Sequence, residues 1–193
     1  MFGGTFVKLD FSYVFRNLDF IAEGAWVTLR ISLVSFVFAF IIACIVGTIR
    51  AGRIGGILSR LLGFYVEVFR GTPLLVQLFL IYYGLPQLGI VLEAWVAGIV
   101  GLALNSGAYM SEIVRASILS VDSGQSEAAR VLGYTPLRAL RHVVFPQAFR
   151  VALPPMMNSL SALLKESSLV SIISIVELTR VGNIIYSRTM APF

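Results

Sequence analysis

The sequence predicts an all-α integral membrane protein, and three observations carry that prediction. Of 193 residues, 58% are hydrophobic and only 13% charged, with a mean hydropathy of +0.88; soluble domains average about 45–50% apolar and about 25% charged residues. The apolar residues come in unbroken runs of helix length rather than in alternation, which argues against β-barrel strands. The basic residues collect between those runs, as they do in the cytoplasmic loops of membrane proteins. Water is not the main solvent of such a chain.

The composition also closes other routes. Disordered chains are poor in hydrophobic residues and rich in charge. Seventeen glycines without a period and a single cysteine, Cys44, exclude a collagen-like or a disulfide-stapled secreted fold. Cys44 lies deep in an apolar run and reads as an inert thiol. The net charge of +5 does not form the basic stripe on a soluble face that a nucleic-acid binder needs, so no nucleic-acid partner is expected. Residues 1–10 lack the basic start of a signal peptide, and the first span is expected to be retained.

A crossing helix needs about 20 mainly apolar residues. Four candidates satisfy this: about Ala25 to Ile49, Leu61 to Leu85, Ala94 to Leu119, and Val151 to Val176. Ahead of them Phe11, Val14, Phe15 and Leu18 fall at i, i+3, i+4 and i+7, the stripe of a short amphipathic helix lying on the membrane surface. The turn after the first span carries Arg50, Arg53 and Arg60, and the connection after the third carries Arg115, Arg130, Arg138, Arg141 and Arg150. Pro86 to Glu93 has no basic residue. Positive loops stay in the cytoplasm, so the N-terminus is expected outside and, with four spans, Phe193 outside as well. Residues 1–193 read as a single transmembrane domain.

The connection at about 120–146 has its own local grammar. Asp122 and Gln125 have the spacing of a helix-capping pair, with Glu127 in the first turns where the helix dipole favours an acid. Gly133 suits a helix end that needs a left-handed residue, and Thr135-Pro136 restarts a helix as cap and first residue. Pro146 then leads into the fourth span. Two short helices joined by a tight turn are expected to project from the membrane.

Glu127-Ala128-Ala129, then Gly133, Val143 and Phe145-Pro146, resemble the EAA loop of ABC importer permeases, with Val143 and Phe145 where that family usually has Ile and Leu. Gly124-Gln125, Arg130, Pro146 to Arg150, Leu153-Pro154-Pro155, Lys165 to Leu169 and Arg70 to Pro73 are similar to its polar amino acid branch. The resemblance covers essentially the whole chain. It implies a permease subunit of an importer for polar amino acids, coupled through Glu127, Ala128, Ala129 and Gly133 to a pair of ATPase subunits. It also implies a second permease subunit, like or unlike this one, and an extracytoplasmic substrate-binding protein. Relatives of this branch generally continue into a fifth span, which this sequence does not contain.

The residues agree that the chain holds no motor of its own. Gly47 to Gly52 followed by Arg53-Ile54 lacks the Lys and the Ser/Thr of a phosphate-binding loop. No residues have metal-ligand spacing, and the single His142, among arginines, is far from any in-membrane serine that could serve as a nucleophile. No cofactor and no enzymatic activity are expected.

Ionisable groups inside a span cost about 2.5–3.5 kcal/mol on insertion scales, so each calls for a reason. In the second span Glu67 and Arg70 have the spacing of a helical ion pair. Thr72 and Pro73 are expected to cap and open a half-helix whose start favours an anion, with Gln77 and Tyr82 following. In the third span Asn105, Tyr109 and Glu112 share a face. In the fourth, Asn158, Ser161, Lys165 and Ser168 line one face, and Glu166 points about 100° away. An amino acid zwitterion needs an anionic partner, a cationic or dipolar one, and amide or hydroxyl groups. Thr72, Gln77, Asn105, Lys165, Glu166 and Ser168 are therefore the expected substrate contacts. Pairing between helices is the plain structural alternative for each of them. A secondary amino acid transporter, or a membrane scaffold recruiting a soluble partner through its helix pair, remains an alternative reading of the whole.

Overall fold

A computed structural model describes residues 12–52 and 56–189, and every regular element among the described residues is helical. The first is α1, Ser12–Arg16, with Val14 and Phe15 exposed; Phe11 of the predicted amphipathic stripe lies outside the described residues. Asn17 separates it from α2, Leu18–Ala51. Thirty-four residues make α2 about 51 Å long at 1.5 Å per residue. It therefore starts well before the predicted Ala25 and outruns a bilayer core of about 30 Å.

The fold is built on the pairing of α2 with α5, Ala94–Leu119, the most extensive helix contact among the described residues. Half of the 26 residues of α5 are buried, which makes it the central helix. Small residues set the distance between the two axes. Ser35, Ala39, Ala43 and Gly47 recur every fourth residue on the buried face of α2, and α5 answers with Gly107, Ala108 and Ser111. A Cβ on Gly47 would lie 2.6 Å from the Ser111 carbonyl oxygen and 2.6 Å from the Val114 Cβ. One on Gly107 would lie 2.9 Å from Ile42. Close approach of this kind is how helices associate where lipid removes the hydrophobic drive.

The second predicted span is not straight. It divides into α3, Gly56–Gly71, and α4, Leu74–Phe79, and α3 meets at 107° the helical segment Leu74–Leu88 that α4 begins. Proline has no N–H and disfavours helical backbone in the residue before it, which places the break at Thr72-Pro73. Here one expectation is corrected. Pro73 itself is the capping residue of α4, in extended backbone, while the Thr72 hydroxyl donates back to the Val68 carbonyl at 2.7 Å. Thr72 closes α3 instead of opening α4, because a free carbonyl at the end of α3 is within its reach.

After α4 the chain passes through a π turn, Leu80–Gly84, into the 3-10 turn Leu85–Leu88. A second π turn, Leu140–Val144, follows α7, Pro136–Ala139, and leads into α8, Phe145–Glu166. Each π turn ends two residues before a proline, Pro86 or Pro146, whose missing N–H interrupts the regular ladder. The second helix of the predicted cytoplasmic pair is thus not a separate unit, because residues 136–173 are helical without interruption. The helix passes through Pro154 and Pro155. It ends earlier than the predicted Val176, as the 3-10 turn Ser167–Ile173 and a left-handed Ser174 (φ 72°). Then α9, Leu178–Thr189, leaves at 55°.

Glu177, buried, caps α9. Its carboxylate accepts the backbone N–H of Thr179 at 2.8 Å and of Arg180 at 2.7 Å. The Leu178 N–H donates to the Thr28 hydroxyl of α2 at 3.1 Å, beside Gly24, where a Cβ would lie 2.7 Å from Val181. Among the described residues α2 alone is long and apolar enough to cross a bilayer by itself; the α3–α4 pair and the 136–173 helix with α9 meet that test as bent pairs.

The α2–α5 spacing yields a direct expectation. Gly47→Leu forces its side chain into the α5 backbone and costs about 1–3 kcal/mol, whereas Gly63→Ala, whose Cβ would meet nothing nearer than Arg50 Nε at 3.9 Å, leaves stability unchanged or slightly raised. Thermal unfolding of the two variants in detergent separates them; equal midpoints would remove the small-residue seam as the determinant of packing.

Candidate functional site

The polar residues of α2, α3, α4, α5 and α8 form two groups and a charged cluster. The first group closes the helix break. The last carbonyls of α3 have no partners within the helix, and inside a bilayer each must find one. The Val68 carbonyl takes the Thr72 hydroxyl. The Phe69 carbonyl accepts Gln77 Nε2 at 2.9 Å and Asn105 Nδ2 at 3.1 Å. The Arg70 carbonyl accepts the Tyr109 hydroxyl at 3.2 Å, and the Thr72 carbonyl accepts Gln77 Nε2 at 3.1 Å. Asn105 also donates to Gln77 Oε1 at 3.1 Å, and Gln77 to the Thr72 hydroxyl at 2.8 Å. Gln77 and Asn105 are buried. Thr72, Gln77 and Asn105, three of the six expected substrate contacts, therefore meet and are engaged with one another and with the backbone.

The second group lines a cleft of about 410 Å³ between α5 and α8, formed by Ser106, Tyr109, Asn158, Ser159, Ala162 and Glu166. Its volume falls in the lower part of the range of about 300–1,000 Å³ found for small-molecule sites. Ser159 spends its hydroxyl hydrogen on the Pro155 carbonyl at 3.1 Å. The Tyr109 ring faces the cleft and also lies beneath the Arg70 guanidinium, 5.2 Å from it. The sequence assigned Lys165 to the face of Asn158; in the fold it is Glu166 that joins Asn158. Lys165 is exposed, and its carbonyl accepts the Ser168 hydroxyl at 2.8 Å, so neither Lys165 nor Ser168 lines the cleft.

The one ion-pair expectation changes. Glu67 and Arg70 do not pair: Arg70 stacks on Tyr109, and the ion pairs among the described residues are those of Glu112 with Arg50 and Arg115. Glu112 bridges the α2–α5 seam to Arg50 and, on its own helix, accepts from Arg115 Nε at 3.1 Å. Sequence reasoning missed this use of Arg50, because its partner stands 62 residues away. It also missed Glu177, although an acid just ahead of a polar helix start is a legible capping signal.

The 120–146 connection keeps most of its predicted form. The Asp122 carboxylate caps α6, Ser123–Val131, by accepting the Gly124 N–H at 2.7 Å. Gln125 does not reach back to complete a capping pair; its Oε1 accepts from Gln147 at 3.5 Å. Gly133 is left-handed, φ 84°. The Tyr134 N–H bonds the Ala129 carbonyl and the Gly133 N–H that of Arg130, the two bonds of a Schellman closure. The Thr135 hydroxyl accepts the Arg138 N–H at 3.4 Å. Glu127 and Ala128 are exposed, and so are Val131, Leu132 and Leu137. Ala129 is buried.

With the loop and cleft placed, the comparisons with known proteins agree. Residues 39–192 match the family described as "Binding-protein-dependent transport system inner membrane component". The chain belongs to that family. It is 41% identical over 170 residues to the L-cystine transport system permease protein TcyB of Bacillus subtilis (strain 168), covering 88% of this chain and 72% of the relative. It is 39% identical to the arginine transport system permease protein ArtQ of the same organism over 175 residues, 90% of this chain and 80% of the relative. A crystal structure of an amino acid ABC transporter with histidines superimposes with a TM-score of 0.87 at 40% identity, covering 96% of this chain and 86% of that one. The family resemblance drawn from the EAA-like residues is thereby borne out.

Proposed function

We propose that this permease is the membrane subunit of an ATP-binding cassette importer that carries polar amino acids across the inner membrane. The observation that carries the reading is the cleft in which Glu166 stands with Asn158, Ser106 and Tyr109, on a chain whose relatives are named for amino acid transport. Glu166 receives the substrate ammonium or a basic side chain, and Asn158 and Ser106 offer hydrogen bonds. Thr72, Gln77 and Asn105 act by holding the helix break rigid beside the pathway. Lys165, at the end of α8, and Ser168, in the 3-10 turn that follows it, contribute where a second permease subunit completes that pathway.

ATP hydrolysis belongs to a separate pair of ATPase subunits. They dock on the exposed strip of Glu127, Ala128 and the turn at Gly133, and an extracytoplasmic binding protein delivers substrate from the other face. The arginine-rich connections lie in the cytoplasm, the N-terminus and the 86–93 turn outside, with four crossings in this chain.

The permease co-purified with its ATPase and reconstituted in liposomes with the binding protein is expected to take up L-arginine, L-cystine or L-glutamine only with ATP. Glu166→Gln keeps shape and hydrogen bonding but removes the charge, and loss of a charge-assisted bond weakens binding by about 1.5–3 kcal/mol. Uptake then needs roughly tenfold or more substrate for half-saturation, while the complex still assembles. Unaltered concentration dependence removes Glu166 from the site.

Gly133→Val tests coupling. A Cβ there meets no neighbour within 4 Å, so the cost is that of a β-branched residue in left-handed backbone, about 1–2 kcal/mol. Uptake is expected to collapse with membrane insertion intact; normal ATPase assembly and transport would count against docking at this turn. Orientation is read from a cysteine at Gln87, exposed in the 85–88 turn, in a Cys44→Ser background. Labelling by an impermeant reagent from outside sealed cells is expected, and labelling from within alone inverts the topology.

A further inference from the structure

The cleft supplies an anion for the substrate's ammonium, and the remaining question is what meets its carboxylate. The sequence nominated Lys165 or the start of the half-helix after Pro73. Neither Lys165 nor Arg70 lines the cleft itself, but Arg70 lies against a lining residue, Tyr109. The break at Pro73 is crowded with its own bonds, from Thr72, Gln77 and Asn105. Arg70 is placed otherwise. It is exposed at the end of α3, and it forms no ion pair among the described residues. Its guanidinium lies over the Tyr109 ring, 5.2 Å from the centroid, and the same tyrosine lines the cleft with Glu166. Tyr109 is held in turn by its hydroxyl, which donates to the Arg70 carbonyl at 3.2 Å. Ring and guanidinium therefore brace each other from both ends.

Such an arrangement has a use. A guanidinium resting on an aromatic face keeps its planar edge of N–H donors free, and that edge matches the two oxygens of a carboxylate. Lysine cannot reproduce the fork. Resting on the amino acid reading of the cleft given above, we infer that Arg70, stacked on Tyr109, is the residue that selects for the α-carboxylate of the substrate opposite Glu166. The pair Arg70 and Glu166 thus reads the two ends of a zwitterion, and Tyr109 is the positioning residue between them. The competing use of Arg70 is structural: pairing with an acidic group, such as Glu67, on a second permease subunit.

The test compares each amino acid with its α-carboxamide, which keeps the ammonium and side chain but loses the negative charge. Equilibrium binding of L-arginine, L-cystine and L-glutamine, each against its amide, is measured on the purified permease–ATPase complex without the binding protein. The wild type is expected to prefer the acid by about tenfold or more, the range of one charge-assisted bond. Arg70→Gln abolishes that preference by weakening the acid alone, Arg70→Lys retains part of it, and Tyr109→Leu reduces it. Glu166→Gln weakens acid and amide alike and leaves their ratio unchanged.

If the wild type binds none of the three, or if Glu166→Gln has no effect, the cleft reading fails and this inference falls with it. If Glu166→Gln acts as expected but Arg70→Gln keeps the acid preference, only the role of Arg70 is overturned. Loss of complex assembly in Arg70→Gln, with an unchanged preference in Arg70→Lys and Tyr109→Leu, assigns Arg70 to the subunit interface instead and also overturns it.

Discussion

Two helix backbones pressed together along one seam of small residues hold the rest of the molecule in place. Where α2 meets α5, Gly47 lies against Ser111 and Val114 and Gly107 against Ala39 and Ile42, and a single added carbon at Gly47 would sit within 2.6 Å of the α5 backbone. In a lipid solvent apolar side chains gain little by leaving the bilayer for each other, so close packing and polar bonds decide association. The short approach brings Arg50 to Glu112 across the seam. It also turns the opposite face of α5 toward α3, α4 and α8, where Asn105, Ser106 and Tyr109 are used.

The break at Thr72-Pro73 depends on that placement. A proline in a crossing helix leaves carbonyls without donors, and hydrocarbon offers none in exchange. The chain answers with side chains from three places: Thr72 beside the break, Gln77 one turn beyond it, and Asn105 with Tyr109 from the central helix. The same bonds that satisfy the backbone fix the bend at 107° and seat Arg70 over Tyr109. The break thus sets the geometry beside the cleft. Elsewhere the chain absorbs its prolines differently, with a π turn ahead of Pro86 and another ahead of Pro146. The second of these merges α7 with α8 into one continuous helix, running from just beyond the turn at Gly133 to the cleft at Glu166.

The sequence by itself determined the class of protein, the site of the helix break and the form of the connecting turn. These follow from local physics: hydropathy over a helix length, a proline's missing N–H, and a glycine at Gly133 with φ 84° closing a helix with Asp122 and Thr135 as caps. The residues resembling an EAA loop were legible for the same reason, since they stand in one short stretch. Tertiary structure alone decided which polar side chains meet. Arg70 leaves Glu67 for a tyrosine 39 residues on, Gln77 finds Asn105 at a separation of 28, and Arg50 finds Glu112 at a separation of 62. It likewise gave the cleft to Glu166 rather than Lys165, and buried Ala129 while leaving Glu127 exposed. Helical periodicity places a residue on a face, but the partner of that face depends on how closely and at what rotation the helices pack. That is set by contacts between small residues far apart in the chain, whose effect exists only once both helices are present.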